Sequence, residues 1–138
     1  MAIFAKISVE NKDRKTKTKL IALLNSGSYL KSLTPSINRI QLLYVWIPKS
    51  LAERELRAEL HQYSKGKYVD TTNTYRVCLL DQEEKPVVCV DNCLLISEDE
   101  LDIALIPYEL LKYMRIVLDI EDDSWIYKGT NKRVKSVR

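Results

Sequence analysis

The apolar run Leu20-Ile21-Ala22-Leu23-Leu24 stops abruptly at Asn25-Ser26-Gly27-Ser28. A run this short with no polar face suits a strand buried on both sides, and the small polar residues behind it signal a tight turn. Other segments follow the same rule. In Ala2–Glu10, Ile3, Ala5, Ile7 and Val9 alternate with Ala2, Phe4, Lys6 and Ser8, the period of a strand with one buried face. Asn11–Thr16 is a polar turn, and Thr18–Leu24 then forms the buried strand.

Further strands are predicted at Gln41–Ile47, Lys67–Leu80, Val87–Ile96, Leu101–Ile106, Arg115–Ile120 and Ser124–Tyr127. Asp81–Pro86 is a polar turn between two of them, and the polar, Pro-interrupted Tyr29–Arg39 reads as loop. Two segments carry helical spacing. Leu51–Leu60 places Leu51, Ala52, Leu56 and Leu60 near one face, with Ser50 as N-cap and Glu53 completing a capping box. Pro107–Met114 opens with proline, a residue suited to a first helical turn. A chain of about seven or eight strands and one or two short helices is mainly β. Its 138 residues suffice for one core and are few for two.

Composition removes several function classes. Apolar residues at 46% and charged residues at 30% belong to a soluble globular chain rather than a disordered one. The longest apolar stretch, Leu42–Pro48, is far short of the roughly 20 residues of a membrane helix, and no signal-peptide pattern opens the sequence. A cytoplasmic protein without membrane partners is expected. Cys78, Cys89 and Cys93 form no Cys-x-x-Cys pair, and the single histidine, His61, is remote, so neither a metal nor another cofactor is expected. The cysteines read as free thiols in or near the core, with Cys89 and Cys93 on one strand face. Basic residues cluster at Lys12–Lys19 and again at Lys128–Arg138, which reads as a frayed tail; with no aromatic residues interleaved in the first cluster, nucleic-acid binding is the weaker reading. His61, Asp102 and Asp119 read as surface or pairing groups, and Trp46 and Trp125 as core or interface fillers.

Three segments carry a family resemblance. Leu20-Ile-Ala-Leu-Leu-Asn-Ser-Gly-Ser28 resembles the apolar strand and Asp-Thr/Ser-Gly turn of aspartic proteases. Leu101-Asp-Ile-Ala-Leu-Ile-Pro-Tyr-Glu-Leu-Leu-Lys-Tyr-Met-Arg-Ile-Val-Leu-Asp-Ile120 is similar to the second half of retropepsin-like domains, and Trp46-Ile-Pro-Lys-Ser-Leu-Ala-Glu-Arg54 to their strand-to-helix segment. The order agrees over most of Ile7–Tyr127. The resemblance implies a closed β-barrel acid-protease lobe over residues 1–127, with 128–138 as a basic C-terminal tail. One lobe carries one catalytic corner, so it further implies a homodimer, with the terminal strands of both chains at the interface. An extended peptide or protein substrate would lie across the pair beneath a flap. By the same resemblance residue 25 is the catalytic position, Ser26 braces the turn, Gly27 permits close backbone approach, Ser28 borders the substrate, and Gly66 marks the flap turn.

Two residues depart from the family pattern. Asn25 occupies the catalytic Asp position, and an amide cannot serve as general base. An Asp→Asn change introduced to silence a protease fits this, as does a naturally degenerate scaffold retained for binding peptides or proteins. Pro107 stands where the family has Gly, removing an N–H and fixing φ near −65°.

Overall fold

The computed structural model describes residues 2–24 and 43–138. Strand β1 (Phe4–Asn11) turns back into β2 (Thr16–Leu24) with Ile7 opposite Leu20. Ile3, Ala5, Ile7 and Val9 all point into the core, as their alternation predicts. Next come β3 (Tyr44–Trp46), helix α1 (Lys49–Arg54) and β4 (His61–Ser64). The long hairpin of β5 (Lys67–Leu80) and β6 (Pro86–Glu98) leads to β7 (Ala104–Ile106), helix α2 (Tyr108–Tyr113), β8 (Ile116–Asp119), β9 (Ser124–Tyr127) and β10 (Lys132–Lys135).

Six strands close on themselves in the order β1-β2-β7-β3-β6-β5, because β1 pairs with β5 as well as with β2. Strand β4 adds outside β5, and β10-β9-β8 form a separate small sheet. The fold is therefore mainly β, a closed barrel with two short helices among the described residues. Val45, Ile47, Leu95, Ala104 and Ile106 fill the barrel from β3, β6, β7 and their borders. Tyr44, Trp46, Leu94, Ile96 and Leu105 form a second cluster, with Tyr63 and Val69 of the β4–β5 hairpin packed into it. Burial on both faces accounts for the unbroken apolar runs in these strands.

Several expectations are corrected. Helix α1 ends at Arg54 rather than Leu60, because Leu56 turns into the core at 0% exposure and Arg57 takes a left-handed φ of 54°. Ser50 lies inside that helix; Pro48 is the N-cap, without a side-chain cap bond. The supposed frayed tail contains β10, whose Val134 is buried against the same core as Trp125. Strand β9 needs a second neighbour, and β10 supplies it.

The cysteines also differ from expectation. Cys78 and Cys89 face each other across the β5–β6 ladder, Cα atoms 4.0 Å apart, and form a disulfide. Cys93 is a buried free thiol, held up to about 12 by burial and then by Asp91. It does not share a face with Cys89. The ladder slips by one residue between Tyr75 and Val77, opposite Asn92 with its φ of 62°, and this bulge inverts the alternation.

Candidate active site

Strands β2 and β7 run parallel and side by side, with Ala22, Leu23 and Leu24 opposite Ala104, Leu105 and Ile106. Both strands end at the same level, with Leu24 beside Ile106, the residue before Pro107. The Leu24 N–H donates to the Ile3 carbonyl at 3.0 Å, holding the end of β2 against the start of β1. On the far side of β7, Trp46 of β3 lies opposite Leu105. The end of β2 is thus flanked by β7 and, beyond it, β3, whose side chains are almost wholly enclosed.

Helix α2 completes the support. Pro107 adopts φ −72° and ψ 161°, extended geometry that proline accepts, and its carbonyl receives N–H donors from Leu110 and Leu111 at 3.1 Å. Proline is thus accommodated where the family has Gly. Leu110 and Leu111 are buried in the core, and Glu109 sits in the first turn. The Tyr44 hydroxyl is held protonated beyond its ordinary range, first by burial and then by the charge of Glu109.

Asn25, Ser26, Gly27 and Ser28 lie outside the described residues. Gly66 lies within them, in the turn between β4 and β5, at a φ of +72° that glycine adopts without strain. Its carbonyl accepts the Asp99 N–H at 3.0 Å, and a Cβ added there would come within 3.3 Å of the Asp99 carboxylate. The hairpin tip is therefore seated on the loop after β6. Within this hairpin Tyr63 packs inward, its hydroxyl pushed up to about 12 by burial and then by Glu98.

The remaining candidates occupy scattered positions. His61 is exposed on β4, and Asp102 is exposed before β7. Asp119 accepts from Arg133 at 2.7 Å, which with the Asp122 N–H keeps its carboxyl below the usual range. Trp46 and Trp125 are fully buried. Among the described residues no group of three or more His, Cys, Asp or Glu side chains is placed to hold a metal ion. No described helix is long and apolar enough to cross a membrane, which leaves β-barrel spans unaddressed.

Several buried polar groups escaped the sequence reading, and one of them is an acid. Asp70, 2% exposed, accepts from the Tyr75 hydroxyl, the Glu59 N–H and the Thr72 N–H and hydroxyl. The signal was an acid set within the β-rich Lys67–Leu80, closely followed by two threonines. Its bonds brace the loop after α1 against β5; they do not face the β2–β7 corner.

No protein-family model matches this chain, and no curated protein matches it in sequence. Solved structures do. The chain is similar to the crystal structure of the retroviral protease-like domain of Ddi1 from Leishmania major, with a TM-score of 0.54 and 13% identity, covering 100% of this chain and 95% of that one. At this identity the likeness establishes a shared fold, the retropepsin-like barrel.

Proposed function

We propose that this chain is one lobe of a homodimeric aspartic endopeptidase scaffold in which residue 25 of each of two copies meets at a shared axis. The observation that carries the reading is the parallel β2–β7 ladder. It ends with Leu24 beside Ile106, just before the start of α2, and the Asn-Ser-Gly segment follows Leu24 directly in sequence, which supports the reading. A catalytic turn launched from such a support loses little energy to reorganisation during the reaction.

With Asp at position 25, two carboxylates brought close at the axis cannot both ionise readily. They share a proton, and the pair titrates as a unit, as in the well-known aspartic-protease dyad. One carboxylate takes a proton from the attacking water while the other acid protonates the peptide carbonyl. Ser26 braces the turn, and Gly27 lets the two backbones approach. The substrate lies extended, with Ser28 at its border and the β4–β5 hairpin, turning at Gly66, as the flap; its main chain pairs as an added strand. Asn25 keeps the shape of Asp but has no basic oxygen at neutral pH, so the chain as written binds peptides without cleaving them.

The test is Asn25→Asp, assayed on an unstructured protein at mildly acidic pH. Cleavage by the Asp form and none by the Asn form supports the proposal. A folded, dimeric Asp form that binds peptide and leaves it intact overturns the enzyme reading in favour of a non-catalytic peptide-binding module.

A further inference from the structure

Strand β2 has a neighbour on its β7 side only at Ala22, Leu23 and Leu24, because β7 begins at Ala104. Among the described residues, Leu20 and Ile21 therefore face no strand on that side, and the barrel wall parts. A pocket of about 430 Å³ opens at this gap, within the size range of small-molecule sites. Its apolar floor includes Leu20, Ile21, Leu51 of α1 and Ile103 ahead of β7, each left partly exposed. Leu20 and Leu51 back onto the barrel core and Ile103 onto the second cluster, so the floor is held from beneath.

The rim is charged, and its charges converge. Lys6 stands opposite Ile21 in the β1–β2 ladder, and Lys19 lies two residues before Ile21 on the same strand. All three side chains therefore share one face of the sheet. The Glu84 carboxylate, carried in on the β5–β6 turn, accepts from Lys6 Nζ at 2.7 Å and from Lys19 Nζ at 3.0 Å. Each ammonium has three donors, and these bonds occupy one apiece. One carboxylate thus offsets only one of the two lysine charges. Elsewhere in the lining Asp102 and Arg138 offset each other, so the pocket keeps a net positive charge.

We propose that this pocket binds a carboxylate carried on an apolar chain, the chemistry shared by a short fatty acid and the C-terminus of an apolar peptide. The carboxylate takes free ammonium donors of Lys6 and Lys19, and the chain lies along Leu20, Ile21, Leu51 and Ile103. Glu84 shows that the two lysines share a single carboxylate from a neighbouring segment. A ligand carboxylate beside it brings the lysine cluster to neutrality, whereas an ammonium head meets two cations. A small anion leaves the apolar floor uncovered, and a neutral apolar ligand leaves the lysine donors unused, so neither engages both halves of the site. Glu84 competes for the same donors and so tempers the affinity. The site involves neither residue 25 nor a second chain, and it stands or falls apart from the protease-scaffold reading.

The test is titration of the full chain with sodium octanoate at neutral pH, followed by backbone amide NMR shifts. Saturable shifts centred on Lys6, Lys19, Ile21 and Ile103 are expected, with affinity rising about threefold per methylene from butyrate to octanoate. Octylamine and octanol are expected to bind about tenfold more weakly than octanoate. Glu84→Gln releases both lysines and is expected to tighten octanoate about fivefold. The double variant Lys6→Met, Lys19→Met is expected to weaken it about tenfold, with a cooperative thermal transition as the fold control for each variant. An acetylated leucine dipeptide, as free acid and as amide, separates the two sources. Tighter binding of the peptide acid than of octanoate assigns a peptide C-terminus, the reverse assigns a fatty acid, and either supports the carboxylate site. Octanol binding as tightly as octanoate, the amide as tightly as the acid, or no saturable shift with either acid overturns it. So does an octanoate affinity indifferent to both the Glu84 and the lysine variants.

Discussion

The Tyr75 hydroxyl donates to Asp70 Oδ2 across 2.7 Å, joining two side chains that solvent scarcely reaches. The same hydroxyl lies 3.3 Å from Asn11 Nδ2, whose other partner is the Leu56 carbonyl at 2.9 Å. A chain of bonds thus runs from β1 through β5 to the loop after α1. Tyr75→Phe removes both of these bonds, although Asp70 keeps its Glu59 and Thr72 donors and Asn11 Nδ2 keeps the Leu56 carbonyl. At about 1 kcal/mol net for each bond lost, a loss of about 2 kcal/mol is expected. Urea unfolding measures it, with Tyr113→Phe at an exposed position as the control expected to change little. Equal midpoints for the two variants would remove this network from the account of stability.

Three tyrosines should resist alkali. Burial is the first cause in Tyr44, Tyr63 and Tyr75 alike; Glu109 adds to it for Tyr44, Glu98 for Tyr63, and the bond to Asp70 for Tyr75. Each folded-state pKa lies above the ordinary value of 10, and that of Tyr63 is about 12. The stabilisation is complete below pH 10 and is lost as pH rises through the folded values, because the unfolded chain ionises first. Phenolate absorbance should therefore show an early group of tyrosines followed by a late group that ionises together with unfolding. A single smooth titration with the fold intact would contradict the burial of these hydroxyls.

The local pattern made most of the strands legible and left their partners hidden. The run Leu20–Leu24 announces a strand enclosed on both faces, yet nothing near it says that Ala104–Ile106 lies alongside, since a parallel pairing joins distant segments. Val134 stands among Lys132, Arg133 and Lys135 and looks like part of a solvated tail; only the unsatisfied side of β9 explains its burial. The disulfide, whose cysteines read as free thiols, did have a local signal. Cys78 lies three residues before Asp81 and Cys89 three after Pro86, so a hairpin turning over Asp81–Pro86 sets them face to face. The proposed catalytic corner rests on resemblance alone, because Asn25–Ser28 lie outside the described residues.

That disulfide should contribute measurably to stability. It closes a loop with a sequence separation of 11, and the loop-entropy argument assigns about 3 kcal/mol to a cross-link of this length. The double variant Cys78→Ala, Cys89→Ala, or the parent under reductant, should unfold at correspondingly lower denaturant concentration. Cys93, buried and with its thiol at about 12, should react with a thiol reagent only as the protein unfolds. Rapid labelling of one thiol in the native oxidised protein would contradict that placement.

Acid should act through two surface clusters. Glu84, on the β5–β6 turn, receives Lys6 Nζ at 2.7 Å on one oxygen and Lys19 Nζ at 3.0 Å on the other, and these bonds hold its carboxyl at about 2. Asp122 is held at about 2 by Lys135 first and Ser124 next. Both folded-state values lie below the ordinary carboxylate values of 4.5 and 3.8. Their stabilisation is therefore present above those values and is lost as pH falls through about 2. Carboxyl resonances followed by NMR should show midpoints near 2 for both residues. Glu84→Gln should be less stable than the parent at neutral pH and equal to it once Glu84 is protonated, so the two stability curves converge on the acid side. Raised salt should narrow the gap at neutral pH, because these partners are exposed and screened. A Glu84 midpoint at the ordinary 4.5 would mean that Lys6 and Lys19 do not grip this turn in solution.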